Sequence, residues 1–302
     1  MSGKADSIRS IMFALGANFA IAIAKLGAAI ATGSSAMLAE AIHSFADSGN
    51  QGLLLLGLAR AKRPPSPDYP LGHGKAIYFW SFIVALVLFV LGGLFSIYEG
   101  AHKFNDPEEL AYPWVAVGVL AFGVVAECVS LYGCLTEVNK VREGRSLWRW
   151  FRESRQSELV VVLGEDIAAL LGLALALIAV LATIASGDPR FDACGSIAIG
   201  VVLIVVAIGI AVEIKGLLIG QSADPNVEKG LRAFLAQREE IAEVYRLITF
   251  QLGASLMVSV KARMRERGSA NAMVASINRV ETAMRAAFPE IQWLFFEPDV
   301  KD

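Results

Sequence analysis

Six segments of this chain, roughly 7–31, 35–58, 77–100, 111–136, 157–185 and 190–219, are apolar over lengths that can cross a lipid bilayer. That feature limits the possible folds more than any other. About 20 apolar residues span the hydrocarbon core as a helix. Inside lipid only helices and closed barrels satisfy their own backbone. The expected fold is therefore an α-helical membrane protein with six transmembrane helices. The first run is longer than the apolar core of a signal peptide, so it is read as a retained span. Composition agrees, with 55% of residues hydrophobic and 19% charged.

The links between spans carry charge unevenly. Arg60, Lys62 and Arg63 follow the second span, broken by Pro64 and Pro65. Lys140, Arg142, Arg145, Arg149, Arg152 and Arg155 follow the fourth. Asp106, Glu108 and Glu109 join the third to the fourth. The excess of Lys and Arg places the two basic links on the cytoplasmic side, and an even span count puts both termini there too. The expectation is a multi-pass protein of a bacterial inner (cell) membrane. A net charge of −2 gives no sign of nucleic acid binding. Cys128, Cys134 and Cys194 lie in apolar segments without a CxxC pair, so neither a disulfide framework nor a thiolate zinc site is indicated.

From Gln221 onward the pattern changes. Asp224 followed by Pro225 reads as an N-cap with proline at the first helical position. A helix to about residue 237 follows, then a strand over 244–252. Leu256, Val258, Val260 and Ala262 alternate with polar or exposed neighbours at a period of two, which marks a second strand. Met273, Ile277, Val280 and Met284 mark a helix ending before Pro289, and 291–297 reads as a last strand. The order α-β-β-α-β predicts a small cytoplasmic, ferredoxin-like α+β domain. The expected domains are thus 1–220 in the membrane and 221–302 outside it. The second contains no histidine or cysteine.

Ionisable residues inside membrane helices are costly and point to function. His43 and Asp47 are four residues apart in the second span, so they share a helix face. Asn50 and Gln51 continue that stripe. Glu165 and Asp166 are adjacent in the fifth span. At a rise of 1.5 Å per residue, Asp166 lies about 13 Å in from one membrane edge, Asp47 about 16 Å and His43 about 22 Å. Two antiparallel helices therefore bring imidazole and carboxylates to overlapping depth, and a divalent cation would neutralise several of them at once. One nitrogen and two oxygens from His43, Asp47 and Asp166 suit Zn²⁺, with Mn²⁺ or Co²⁺ admitted by the carboxylates. Adjacent helical residues point about 100° apart, so Glu165 and Asp166 cannot both address one ion ideally. The fourth ligand is left open among Glu165, Asn50 and water.

The stretches AEAIHSFADSGNQ at 39–51 and PLGHGKAIYFWS at 70–81 precede an acidic fifth span and a closing Glu297-Pro298-Asp299. Together they resemble the cation diffusion facilitators, in particular the branch that includes the mitochondrial zinc transporter of animals. The resemblance covers nearly the whole chain. It implies a six-span, usually homodimeric, metal/proton antiporter that exports a divalent cation from the cytoplasm, and not an enzyme. The metal is then the transported substrate, zinc first with Mn²⁺, Co²⁺ or Fe²⁺ as alternatives, and no resident cofactor is implied. The family's site of four residues maps onto His43, Asp47 and Asp166, while its usual fourth ligand falls on Val162. The family's lysine after GHG matches Lys75, but the usual acidic partner falls at Gly220. The C-terminal domain lacks the histidines that bind zinc in many relatives.

Other charged residues have simpler expectations. His73 near Asp68 is either a peripheral metal site or, by preference, a loop histidine fixing the start of the third span. His102 reads as interfacial. Lys25 in the first span needs a carboxylate, and Glu40 or Glu127 is expected to supply it. A proton-relay role for either glutamate is the alternative. An intramembrane metal-dependent hydrolase and a non-transporting regulatory protein are the rival functions. No HExxH motif supports the first.

Overall fold

The structure is a computed structural model that describes residues 19–265 and 268–301. The part of the first expected span over 7–18 lies outside the described residues. The chain forms two compact units. One contains the described residues up to Leu56 together with Trp80–Ser146 and Glu158–Glu213. The other contains Gly57–Phe79, Leu147–Ser157 and the chain from Ile214 onward.

The first unit is helical. Helices α1 (Phe19–Thr32) and α2 (Ser35–Ala61) form a hairpin. Helix α3 (Ala76–Val87) continues through a π-helical turn at Leu88–Leu94 into α4 (Phe95–Asn105), giving one apolar rod. Helices α5 (Pro113–Val141), α7 (Ser157–Ser186) and α8 (Arg190–Ile219) complete it. Among the described residues four helices are both long and apolar enough to cross a membrane: Ala76–Asn105, α5, α7 and α8. Helix α2 has the length, at 27 residues, but is interrupted by Glu40, His43 and Asp47. A short helix α6 (Leu147–Glu153) lies in the basic link, where sequence suggested only a connection. It forms because Trp150 buries its side chain almost completely.

Close packing within this unit uses backbone contact. A Cβ built on Gly200 of α8 would lie 2.6 Å from the Gly93 carbonyl oxygen, so the two helices touch main chain to main chain. Small residues at helix crossings permit such approach in lipid. The Ser196 hydroxyl, donating to the Ser96 carbonyl at 2.8 Å, pins the same crossing.

The start of α2 is held by a residue of a helix far along the chain. Asp192, in the first turn of α8, accepts from the Ser35 amide at 2.6 Å and from the Ser34 and Ser35 hydroxyls at 2.5 and 2.9 Å. A carboxylate at a helix N-terminus satisfies orphan amides and opposes the positive end of the dipole. Here it also fixes where α2 begins, and hence the depth of His43 and Asp47.

The second unit contains the α+β domain: α9 (Pro225–Ala236), β1 (Ile241–Leu252), β2 (Ser255–Met264), α10 (Ala270–Ala287) and β3 (Ile291–Pro298). The sheet order is β1-β2-β3, with β1 antiparallel and β3 parallel to the central strand. Asp224 caps α9 by accepting from the Asn226 amide at 2.9 Å, as its position before Pro225 predicts. Leu256, Val258, Val260 and Ala262 face a core shared with Leu231, Leu235, Val280 and Met284. Near the β1–β2 turn the Tyr78 hydroxyl accepts from the Gly253 amide at 3.1 Å. Lys75 donates to the Leu218 carbonyl at 2.5 Å and lies over the Phe250 ring.

Candidate functional site

Helices α1, α2, α5 and α7 enclose a cavity lined by Ile21, Ser44, Asp47, Gln51, Ala126, Glu127, Ser130, Val162, Glu165, Asp166 and Ala169. Four carboxylates therefore address one space within apolar helices. Three of them, Asp47, Glu165 and Asp166, are residues that the sequence offered as metal ligands. His43 is not in the lining. Its Nε2 lies 3.4 Å from Asp47 Oδ2, as the four-residue spacing on α2 requires. Its Nδ1 faces the π-helical turn, near the position a Cβ on Gly92 would take.

The adjacent pair on α7 divides as the helical repeat dictates. Glu165 turns toward α2, where its Oε1 accepts from Asn50 Nδ2 at 2.6 Å. Asp166 turns toward α5, where its Oδ1 accepts from the Ser130 hydroxyl at 3.2 Å. Asn50, offered from sequence as a possible ligand, thus holds Glu165 instead in this conformation. Ser130 was missed. A lone serine in an apolar helix carries no spacing signal, and only the proximity of α5 to α7 gives it a partner.

Several polar atoms here are buried with no hydrogen-bond partner among the described residues: both ring nitrogens of His43, Asp47 Oδ1, Asn50 Oδ1 and Asp166 Oδ2. Buried polar groups are overwhelmingly paired, so a cluster of orphans calls for an absent partner. Their chemistry is one imidazole and several carboxylate or amide oxygens, which suits a first-row divalent cation. No three His, Cys, Asp or Glu side chains among the described residues stand close enough to hold an ion together. The reason is visible in the rotamers: His43, Glu165 and Asp166 are turned to three different neighbours.

The remaining candidates sort as follows. Lys25 Nζ lies 3.3 Å from Glu40 Oε2 and donates to the Ser44 hydroxyl at 2.8 Å, so Glu40 is its carboxylate partner. Glu127 instead lines the cavity. His73 packs against the Tyr69 ring, and its carbonyl accepts from the Ala76 amide at the start of α3, the role of a loop-fixing histidine.

Residues 11–219 match the family model described as the cation efflux transmembrane domain. The chain is 32% identical over 233 residues to the proton-coupled zinc antiporter SLC30A9, mitochondrial, of Xenopus laevis, covering 76% of this chain and 42% of that protein. It is 31% identical over 231 residues to the human protein of the same name, covering 76% of this chain and 41% of that one. It is 30% identical over 241 residues to metal tolerance protein C4 of Arabidopsis thaliana, covering 79% and 53%. The chain therefore spans about two-fifths to one-half of the length of these relatives.

Proposed function

The chain belongs to the cation efflux family, and from that membership we propose that it is a secondary-active transporter exchanging a divalent cation for protons across a membrane. Zinc is the first-choice substrate, since similar animal proteins are named proton-coupled zinc antiporters. The observation that carries the reading is the cavity inside apolar helices that Asp47, Glu165 and Asp166 all line, with one oxygen each of Asp47 and Asp166 unpartnered among the described residues. Asp47 and Asp166 are the core ligands, His43 swings in beside Asp47, and Glu165 completes the set once released from Asn50.

Proton coupling follows from the donors themselves. A metal needs neutral imidazole and ionised carboxylate, so loading releases protons and protonation expels the ion. Access alternates by movement of helices about a site near the midplane. We place the membrane domain at 1–220 and the α+β domain at 221–302, with the basic links, both termini and the α+β domain on the cytoplasmic side. The functional unit is a homodimer in a cell membrane. The chemistry is transport and not catalysis.

Zinc uptake into proteoliposomes under an imposed proton gradient tests this. Wild type should accumulate zinc, and Asp47→Ala and Asp166→Ala should not. Gradient-independent binding with no uptake would overturn the proposal, as would peptide cleavage without uptake.

A further inference from the structure

Beyond the residues that line the cavity lies a layer that is not part of the ligand set. The cavity extends along α2 from Gln51 to Ser44, along α7 from Val162 to Ala169, along α5 from Ser130 to Ala126, and reaches Ile21 on α1. Three or four residues further along each of these four helices, about 4.5–6 Å on, stand Glu40, Gly172, Gly123 and Lys25. They form one layer. Lys25 Nζ sits 3.3 Å from Glu40 Oε2, with side chains 1% and 0% exposed. A Cβ on Gly172 would lie 2.3 Å from Glu40 Oε1, and one on Gly123 would lie 3.4 Å from Lys25 Cε. The absence of a side chain at Gly172 is what leaves room for the Glu40 carboxylate.

We propose that Glu40 is a second, transient station for the transported cation, and that Lys25 occupies it as a tethered plug when no cation is there. Glu40 Oε1 is buried without a hydrogen-bond partner among the described residues, so the carboxylate has unused capacity aimed into the layer. Ser44 belongs to both places: it lines the cavity and accepts from Lys25 Nζ at 2.8 Å. A cation advancing from Asp47 along α2 meets Ser44 and then Glu40, displacing the ammonium from both. A buried ion pair is weak evidence for stability in itself, which leaves room for a role beyond holding the helices together. This inference rests on the transport reading and extends it to the ion's path.

The test measures two quantities in the full chain: zinc affinity in detergent and proton-driven zinc uptake in proteoliposomes. Glu40→Gln should slow uptake about tenfold while changing affinity less than about twofold, since the residue lies beyond the cavity. Gly172→Ala should do the same without altering any charge. Lys25→Gln should let zinc run down its own gradient without a proton gradient, and Lys25→Arg should restore coupling. If Glu40→Gln takes up zinc like wild type, or loses affinity and uptake together, the pair is only structural and the gate is wrong. A wild type that moves no zinc at all would instead sink the transport reading and the gate with it.

Discussion

The core of the α+β domain and the core around α2 and α7 obey opposite rules. In the domain, apolar side chains from both faces of the pattern meet and the helix ends are capped: Val258, Val260 and Ala262 are fully buried among Leu231, Leu235 and Val280. Around α2 and α7, the buried atoms include a histidine with neither nitrogen hydrogen-bonded to any described residue, and three carboxylates with an orphan oxygen. The first region is built for stability. The second holds buried polar groups without a partner among the described residues, which cost stability unless something else pairs them. The contrast teaches where to look for function in such a chain: at the place where burial and pairing disagree.

That contrast yields predictions that can break it. The largest effect is expected at Asp166→Leu. Zinc uptake should fall by at least about 100-fold, more than loss of a supporting residue around a metal typically causes. The melting temperature of the purified chain should nonetheless hold or rise, because replacing an incompletely paired buried charge by an apolar group is often neutral or stabilising. A large drop in melting temperature would show that the carboxylate is structural.

Leu231→Ala in the domain core should do the reverse. It removes a fully buried side chain and should cost about 2–5 kcal/mol of domain stability, measured by thermal or denaturant unfolding. Zinc affinity of the folded chain should not change. Asp192→Ala sharpens the comparison, since it is a polar group of the helical unit that is fully paired. It should destabilise by about 2–3 kcal/mol and weaken zinc binding indirectly, because α2 loses its fixed start.

The smallest effect concerns pH. The Asp299 carboxylate accepts from Lys261 Nζ at 3.0 Å, and this hydrogen bond is the main reason its pKa lies below the ordinary 3.8. A depressed carboxylate pKa adds stability that is present above the ordinary value and is lost as pH falls through the depressed one. The domain should therefore show a shallow loss of stability at the acid end, below about pH 4, and Lys261→Met should flatten it. Because Asp299 is exposed, added salt should flatten it as well.

Much of the fold was legible because its signals are local. The α7 and α8 boundaries fall within a residue of the apolar runs, and the alternation over 256–262 fixes β2 and its buried face. Asp224 before Pro225 announces its helix. His43, Asp47, Glu165 and Asp166 stood out because a charge in hydrocarbon is conspicuous in a sequence. Ser130 and Asn50 did not reveal their roles, nor did Lys25 choose between Glu40 and Glu127. Neutral polar residues in a span are common, and a lysine's reach covers more than one helix.

By itself, then, the sequence determined which segments form long apolar helices, which strands alternate and which residues carry charge inside an apolar run. Each of these depends on a repeat of 2.0 or 3.6 residues, or on one residue's solvation. Only the tertiary structure decided that Asp192 caps α2, that Lys75 turns to a carbonyl, that Glu165 and Asp166 face different helices, and that Lys25 pairs with Glu40. Those pairings join residues far apart in the chain. They are set by which helices pack together and by which rotamers the packing leaves free, and no local pattern encodes that.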